Sequence, residues 1–259
     1  MSSVRSLFRF PVKGLSGESL DSVALIAGKG IPSDRRYAIT NGSWTFDAAT
    51  FTPRPKTDYL VLLKHEALAS LSTQYLDDSE TLVVKDPQGA VTQYRLSDAD
   101  GRASCAQRIA DHLQDADLAG PPAIVSAEGI RYTDVSVNSE ALMNAVSFIN
   151  LASVRDLSRA MGVEIDPLRF RANIYFDNGE PWSEREWMEK EIQVGQATLR
   201  VVRQTKRCPA INVNPVTAER DLAIPAAMAQ HFGHVFCGVY GEVLAGGDVR
   251  VEDKVAVQA

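Results

Sequence analysis

In the stretch QTKRCPAINVNP (204–215), one cysteine stands between two cations and a proline: Cys208 follows Lys206 and Arg207 and precedes Pro209. Thiolate is the nucleophilic and metal-binding form of cysteine, and neighbouring positive charge raises its fraction. Lys206 and Arg207 supply such charge if their side chains point with the thiol. The same residues also read as a free thiol beside two solvated cations. FPVKGLSGE (10–18) places Lys13 and Gly14 in a turn after a strand-like run, and SDRRYAI (33–39) places Arg35 and Arg36 at the start of another strand. Such cations suit a phosphate, with arginine offering a two-pronged donor set; plain surface charge is the other reading. In RFRANIYFD (169–177), Arg169, Arg171 and Asn173 share a parity, so a strand would put them on one face. That face fits an anion or a heteroaromatic ring, or equally a solvated sheet surface. His231 and His234 could reach one metal from a helix end, but no third ligand stands near, and capping or a surface role is the simpler reading.

Other chemistries lack their residues. No G-x-G-x-x-G or G-x-x-x-x-G-K-[ST] occurs, which removes the dinucleotide and nucleoside-triphosphate fingerprints. Serine-hydrolase G-x-S-x-G, zincin H-E-x-x-H and any C-x-x-C are also missing. The three cysteines, Cys105, Cys208 and Cys237, cannot all pair, which suits a reduced, cytoplasmic protein. The 259 residues are 45% hydrophobic and 23% charged, a globular composition, and the net charge of −6 runs against nucleic-acid binding. No run approaches the roughly 18 apolar residues that cross a bilayer, and MSSVRSLFRFPVKGL lacks the core and cleavage site of a signal peptide.

The elements that must position these residues are mostly short strands: 4–12, 19–28, 35–40, an apolar LVLL at 60–63, and a hairpin of STQYL and TLVVKD around DDSE. Asn41-Gly42 signals a tight turn, because both residues tolerate positive φ, and DPQG (86–89) another. Residues 98–113 have helical spacing with Ile109 and Leu113 on one face and Cys105 beside them, so Cys105 reads as core. AGPPA (119–123) suits an extended connector. Beyond it, VSFINL reads as a strand, and Ser153 as the cap of a helix VRDLSRAM with Asp156 three residues on and Gly162 beyond its end. NIYFD (173–177) and TLRVV (198–202) read as strands, IPAAMAQHF (224–232) as a helix, and VYGEVL and VRVEDKV as closing strands. Many short strands with few helices predict an α+β, β-rich fold built from barrels rather than a βαβ sheet.

The segments PVKGL, DRRYAI, INLASVRDL, RFRANI, PWSEREW, TKRCPAINVNP and GVYGEVLAGGDV, in this order, resemble the MOSC proteins, whose name refers to the C-terminal domain of molybdenum cofactor sulfurase. The similarity is to the subgroup that includes the mitochondrial amidoxime-reducing component and its bacterial relatives. It covers roughly residues 4–255. It implies a MOSC β-barrel domain (123–259) packed with an N-terminal MOSC-associated β-barrel domain (1–122) and a few short helices. Where those relatives carry a D-T-S-P segment this chain has LMNAVSF, and Asn214-Pro215 replaces their Asp-Pro.

The resemblance implies a molybdenum cofactor whose metal is held by Cys208, a soft thiolate beside the two dithiolene sulfurs of the pterin. It places Lys13 and Arg35, with Gly14, at the terminal phosphate. Arg171, Asn173 and Arg207 contact the cofactor from the C-terminal half, and Ser147 replaces part of the D-T-S-P contact. Cys237 matches no motif and reads as structural. The implied reaction removes oxygen from N-hydroxylated compounds, taking two electrons and two protons. The chain lacks a C-x₄-C-x₂-C iron–sulfur pattern, so a separate ferredoxin-like or flavin protein must deliver the electrons to this small-molecule reaction. Two other functions fit the same residues: a persulfide carrier on Cys208 that delivers sulfur to metal centres, and a non-catalytic binder of a phosphorylated ligand.

Overall fold

The computed structural model describes residues 2–114 and 118–258. From the N-terminus run β1 (Ser3–Arg9), β2 (Glu18–Leu20), β3 (Ser22–Leu25) and β4 (Ala38–Ile39). A meander follows, β5 (Ser72–Leu76), β6 (Thr81–Lys85) and β7 (Val91–Arg95), and then helix α1 (Ala99–Leu113). The second half holds β8 (Ile124–Val125), α2 (Glu140–Met143), β9 (Val146–Asn150), α3 (Leu151–Met161), β10 (Ile174–Asp177), β11 (Glu191–Val194) and β12 (Ala197–Lys206). It ends with α4 (Ile224–Phe232), β13 (Phe236–Ala245), β14 (Gly247–Arg250) and β15 (Val255–Val257). The β-rich α+β expectation holds.

One sheet of eight strands, in the order β15-β11-β12-β13-β9-β10-β1-β2, carries the second half. Its strands alternate as a half-buried sheet must: Ile192 and Val194 of β11, and Ala197, Leu199 and Val201 of β12, point inward, while Arg200 points out. The sheet curls until its ends meet. Ser3 bridges Lys254, the Val4 N–H donates to Asp253 O at 2.8 Å, and the Val255 N–H donates to Ser2 O at 3.1 Å. Closure removes the unpaired edges that an open sheet would leave. Val4, Leu7, Phe148, Ile174, Phe176, Leu199 and Val239 fill the interior and are fully buried. β9 is buried along its whole length, because α3 and α4 cover its other face through Ile149, Val154, Leu157, Tyr175 and Met228. β9 and β10 are parallel, and α3 supplies the crossover such a pair requires.

The first strands of the chain therefore belong to the barrel of the second half. β1 pairs β10 and β2, and β3 pairs β14. The meander packs on α1 around Tyr75, Leu82, Cys105, Ile109 and Leu113, which confirms Cys105 as core. β4 pairs β8 beside it.

Several local expectations change. The run 19–28 splits at Asp21, where the chain leaves the β1 edge and joins β14. LVLL is a buried turn, with the Lys64 and His65 N–H groups donating to Val61 O; an apolar run reports burial and not extension. Asn41-Gly42 opens a loop, the Asn41 Oδ1 accepting from the Ser43 N–H and hydroxyl, and no hairpin forms. Asn150, not Ser153, caps α3, accepting from the Ala152 N–H at 3.0 Å. Ser153 is fully buried one turn in, where its hydroxyl donates to Glu184. Residues 167–170 form a 3-10 turn and Arg171 is left-handed (φ 52°), so Arg169, Arg171 and Asn173 do not share a strand face. Arg35 likewise sits in a left-handed turn (φ 49°) before β4.

Candidate functional site

A cleft of about 240 Å³ lies at the seam between the barrel and the first-half lobe. Cys208, Lys13, Gly14, Arg35, Ser147, Arg171, Asn173 and Arg207, all expected from the sequence, line it. Strand geometry does not unite them; turns do. Gly14 has φ +89°, and a Cβ there would lie 2.4 Å from Leu60 O, so only glycine lets the Lys13 turn close on the 60–63 turn.

Cys208 lies two residues past the end of β12, in extended backbone, and Pro209 starts the 3-10 turn that follows. Its half-buried thiol faces the cleft. The cation on its sulfur is neither Lys206 nor Arg207 but Lys56, whose Nζ donates to Sγ at 3.1 Å. Lys56 also reaches Asp134 Oδ2 at 3.2 Å, while Lys13 Nζ takes Asp134 Oδ1 at 2.5 Å and Tyr132 O at 3.0 Å. Burial works against charge on all three groups. At Lys13 burial wins and the pKa is lowered. At Lys56, Asp134 and then Cys208 outweigh burial and raise it. At Asp134 the two lysines outweigh it and hold the carboxyl far below the usual carboxylate range, although its side chain stays 47% exposed.

Arg35 grips Asp34 with two bonds of 2.7 Å and donates to Arg171 O. Its guanidinium and that of Arg171 both stack on Phe10, at 4.4 and 4.5 Å. Burial, then the charge of Arg35, lowers Arg171 to about 10. Asn173 and Ser147 bond each other, and the Asn173 Nδ2 donates to Phe8 O at 3.2 Å. Asn173 Oδ1 accepts from the Ser147 hydroxyl at 2.7 Å and N–H at 3.1 Å, and the Asn173 N–H donates back to Ser147. They fasten β9 to the turn before β10. Arg207 donates to Cys237 O and Phe170 O, which fixes its plane. Gly238 permits this: a Cβ there would lie 2.2 Å from Phe148 O and 3.2 Å from Arg207 Nη2.

Four residues of the lining each carry a buried side-chain polar atom without a hydrogen-bond partner among the described residues: Tyr132 OH, Arg169 Nε, Thr205 Oγ1 and Arg207 Nη2. An unmatched buried polar group costs about 1–3 kcal/mol, so such atoms in native structures are met by ordered water or by a ligand. With eight cationic side chains and two carboxylates in the lining, the cleft fits an anionic, hydrogen-bonding ligand, and the Cys208 thiol faces it.

Family comparison agrees with this geometry. The MOSC domain model matches residues 130–256, and the MOSC N-terminal beta barrel domain model matches residues 1–119. The chain belongs to the MOSC family. Molybdenum cofactor sulfurase of Caenorhabditis elegans is 26% identical over 247 residues, covering 88% of this chain and 31% of that protein. That of Drosophila grimshawi is 23% identical, covering 82% and 28%. This MOSC protein thus spans about a third of the length of the curated relatives it matches. Among solved structures, the YuaD protein from Bacillus subtilis aligns over 98% of this chain and 94% of its own, at 12% identity and TM-score 0.47.

The sequence reading missed Lys56, Asp134, Tyr132 and Thr205, since PRPKTD and RYTDV carry no local pattern that aims them at Cys208. The remaining thiols are core: burial pushes both Cys105 and Cys237 up to about 12. His234 packs on Trp182 and accepts from the Phe236 N–H, and no group of three metal-ligating side chains occurs among the described residues. No described helix is long and apolar enough to cross a membrane.

Proposed function

We propose that this MOSC protein is a molybdenum-cofactor-dependent oxidoreductase that removes oxygen from N-hydroxylated compounds, with Cys208 as the metal ligand. The observation that carries the reading is the convergence of a half-buried thiol, eight cations and four unpartnered polar atoms on one inter-lobe cleft. A bound molybdenum pterin would supply the two-electron redox chemistry, and the protein would supply placement and field. Cys208 anchors the metal. Lys13, Arg35 and Arg171 face the anionic tail, and the Gly14 turn lets backbone approach it. Arg207 Nη2, Thr205 Oγ1 and Tyr132 OH are the donors for the organic carrier. Ser147 and Asn173 act as positioning residues, because their polar groups are already matched. Asp134 bridges Lys13 and Lys56, one on each oxygen, which keeps one ammonium at the sulfur and one at the inner wall. Electrons come from a separate ferredoxin-like or flavin protein. The free thiols suit the reducing cytoplasm.

The test is turnover of an aryl amidoxime to the amidine by protein from a cofactor-making host, with a reduced viologen as donor. Wild type turns over, and Cys208→Ser loses metal and turnover together. Inactive metal-loaded wild type contradicts the reaction, and Cys208→Ser that keeps its metal but loses turnover contradicts the ligand assignment. Metal-free protein with cyanide-labile sulfur on Cys208 is the outcome a sulfur carrier requires, and phosphoryl-ligand binding that survives Cys208→Ala is that of a non-catalytic binder.

A further inference from the structure

Arg203 through Cys208 all line the cleft, although a regular strand would send alternate side chains to the opposite face. Two register shifts against β13, between Val201 and Arg203 and between Gln204 and Lys206, break that alternation. Bulges of this kind re-aim side chains beside sites. Their effect is to bring Arg203 and Lys206 to the mouth. Both are exposed, and neither side chain makes an ion pair or hydrogen bond among the described residues. Arg200, on the same strand before these two shifts, pairs with Glu191 at 2.9 Å. Deeper in the cleft the cations are already occupied: Lys13 and Lys56 by Asp134, Arg35 by Asp34, and Arg169 by Asp221. Arg171 and Arg207 donate to backbone carbonyls, so among the cations of the lining Arg203 and Lys206 are the two whose donors are all unengaged among the described residues.

We propose that Arg203 and Lys206 bind an anionic group of the substrate, a carboxylate or phosphate remote from the part that reaches Cys208. The proposal deepens the reductase reading and takes its reaction from it; the anion site itself stands on the rim geometry. A concave, like-charged wall concentrates field at its mouth, and the arginine fork matches a carboxylate or phosphate in two bonds. A second phosphate on the cofactor would use the same chemistry, so the experiment separates the two.

Molybdenum-loaded wild type and the Arg203→Gln/Lys206→Gln variant are compared on an aryl amidoxime and its para-carboxylate. The wild type shows a KM about tenfold lower for the carboxylate. The variant raises that KM about tenfold and leaves the neutral probe's KM, the molybdenum content and the organic phosphate per chain unchanged. High salt reproduces the effect in wild type, because the cations are exposed. Equal KM values in wild type, or loss of organic phosphate in the variant, overturn the proposal. Ligand-observed NMR with benzoate and benzamide gives a readout without turnover. Benzoate binding that the variant loses upholds the anion site even where neither amidoxime is reduced, and then only the reductase reading fails. No preference for benzoate over benzamide overturns the anion site while leaving that reading intact.

Discussion

At the residue scale the site is a set of ion pairs arranged around one sulfur. Asp134 takes an ammonium on each oxygen, and one of those ammoniums also reaches Cys208. Behind it, buried Arg169 is held by Asp221 and by Asn212 O. The hydrogen bond from Arg169 holds the Asp221 carboxyl down at about 2. A free aspartate titrates near 3.9. Since the folded value is the lower one, the pair's contribution is present in full above about pH 4 and is lost as pH falls through about 2. Asp221→Asn should therefore cost about 1 kcal/mol at pH 7, discounted because Asp221 is a third open to solvent. The difference in melting temperature between variant and wild type should shrink toward zero as the pH is lowered to the limit of reversible unfolding. A difference that grows on acidification contradicts the pairing. Legibility at this scale divides cleanly. Cys208, Lys13, Arg35, Arg171 and Asn173 sit in family motifs and were readable. Lys56 and Asp134 reach the sulfur only through tertiary folding, and their neighbours in sequence carry no chemistry of their own.

At the element scale, what holds the site is a ring of turns. The hairpin around DDSE and the helix at 98–113 were legible because their periodicity is local and they bury one face. DRRY reads as the start of a strand and RFRAN would share a face on one, yet both are turns, with Arg171 and Arg35 left-handed; the basic-apolar alternation of RFRA over four residues fits a strand and a turn alike. LVLL reads as a strand for a related reason and is a turn, since burial from all sides erases the alternation that distinguishes the two. Gly14 tests the importance of these turns. Gly14→Ala meets both a positive φ and a carbonyl at 2.4 Å. It should cost about 2 kcal/mol in denaturant unfolding and should displace Lys13 from Asp134. An unchanged denaturation midpoint would show that the Lys13 turn is not tightly held.

At the scale of the whole molecule, the N-terminal strands are built into the barrel of the second half, so the two lobes share a sheet as well as a cleft. Sequence composition marked a connector at 119–123 but carries no sign that β1 pairs β10, since strand partners far apart in sequence leave no local trace. The consequence is mechanical. A fragment of residues 123–259 lacks the strand that closes the barrel between β10 and β15. It should fail to give a cooperative melt, whereas the full chain should unfold with coincident transitions by far-UV signal and tryptophan fluorescence. A fragment that melts cooperatively at wild-type temperature contradicts the shared barrel. The same union lets Lys13, Arg35 and Lys56 from one side meet Arg171, Arg207 and Cys208 from the other, and the functional claim depends on that meeting. The most direct test is elemental analysis of wild type and Cys208→Ala, both purified from a host that makes molybdenum cofactor. The account predicts one molybdenum and one phosphorylated pterin per wild-type chain and almost no metal in the variant. Equal molybdenum in the two proteins, or none in either, would contradict it.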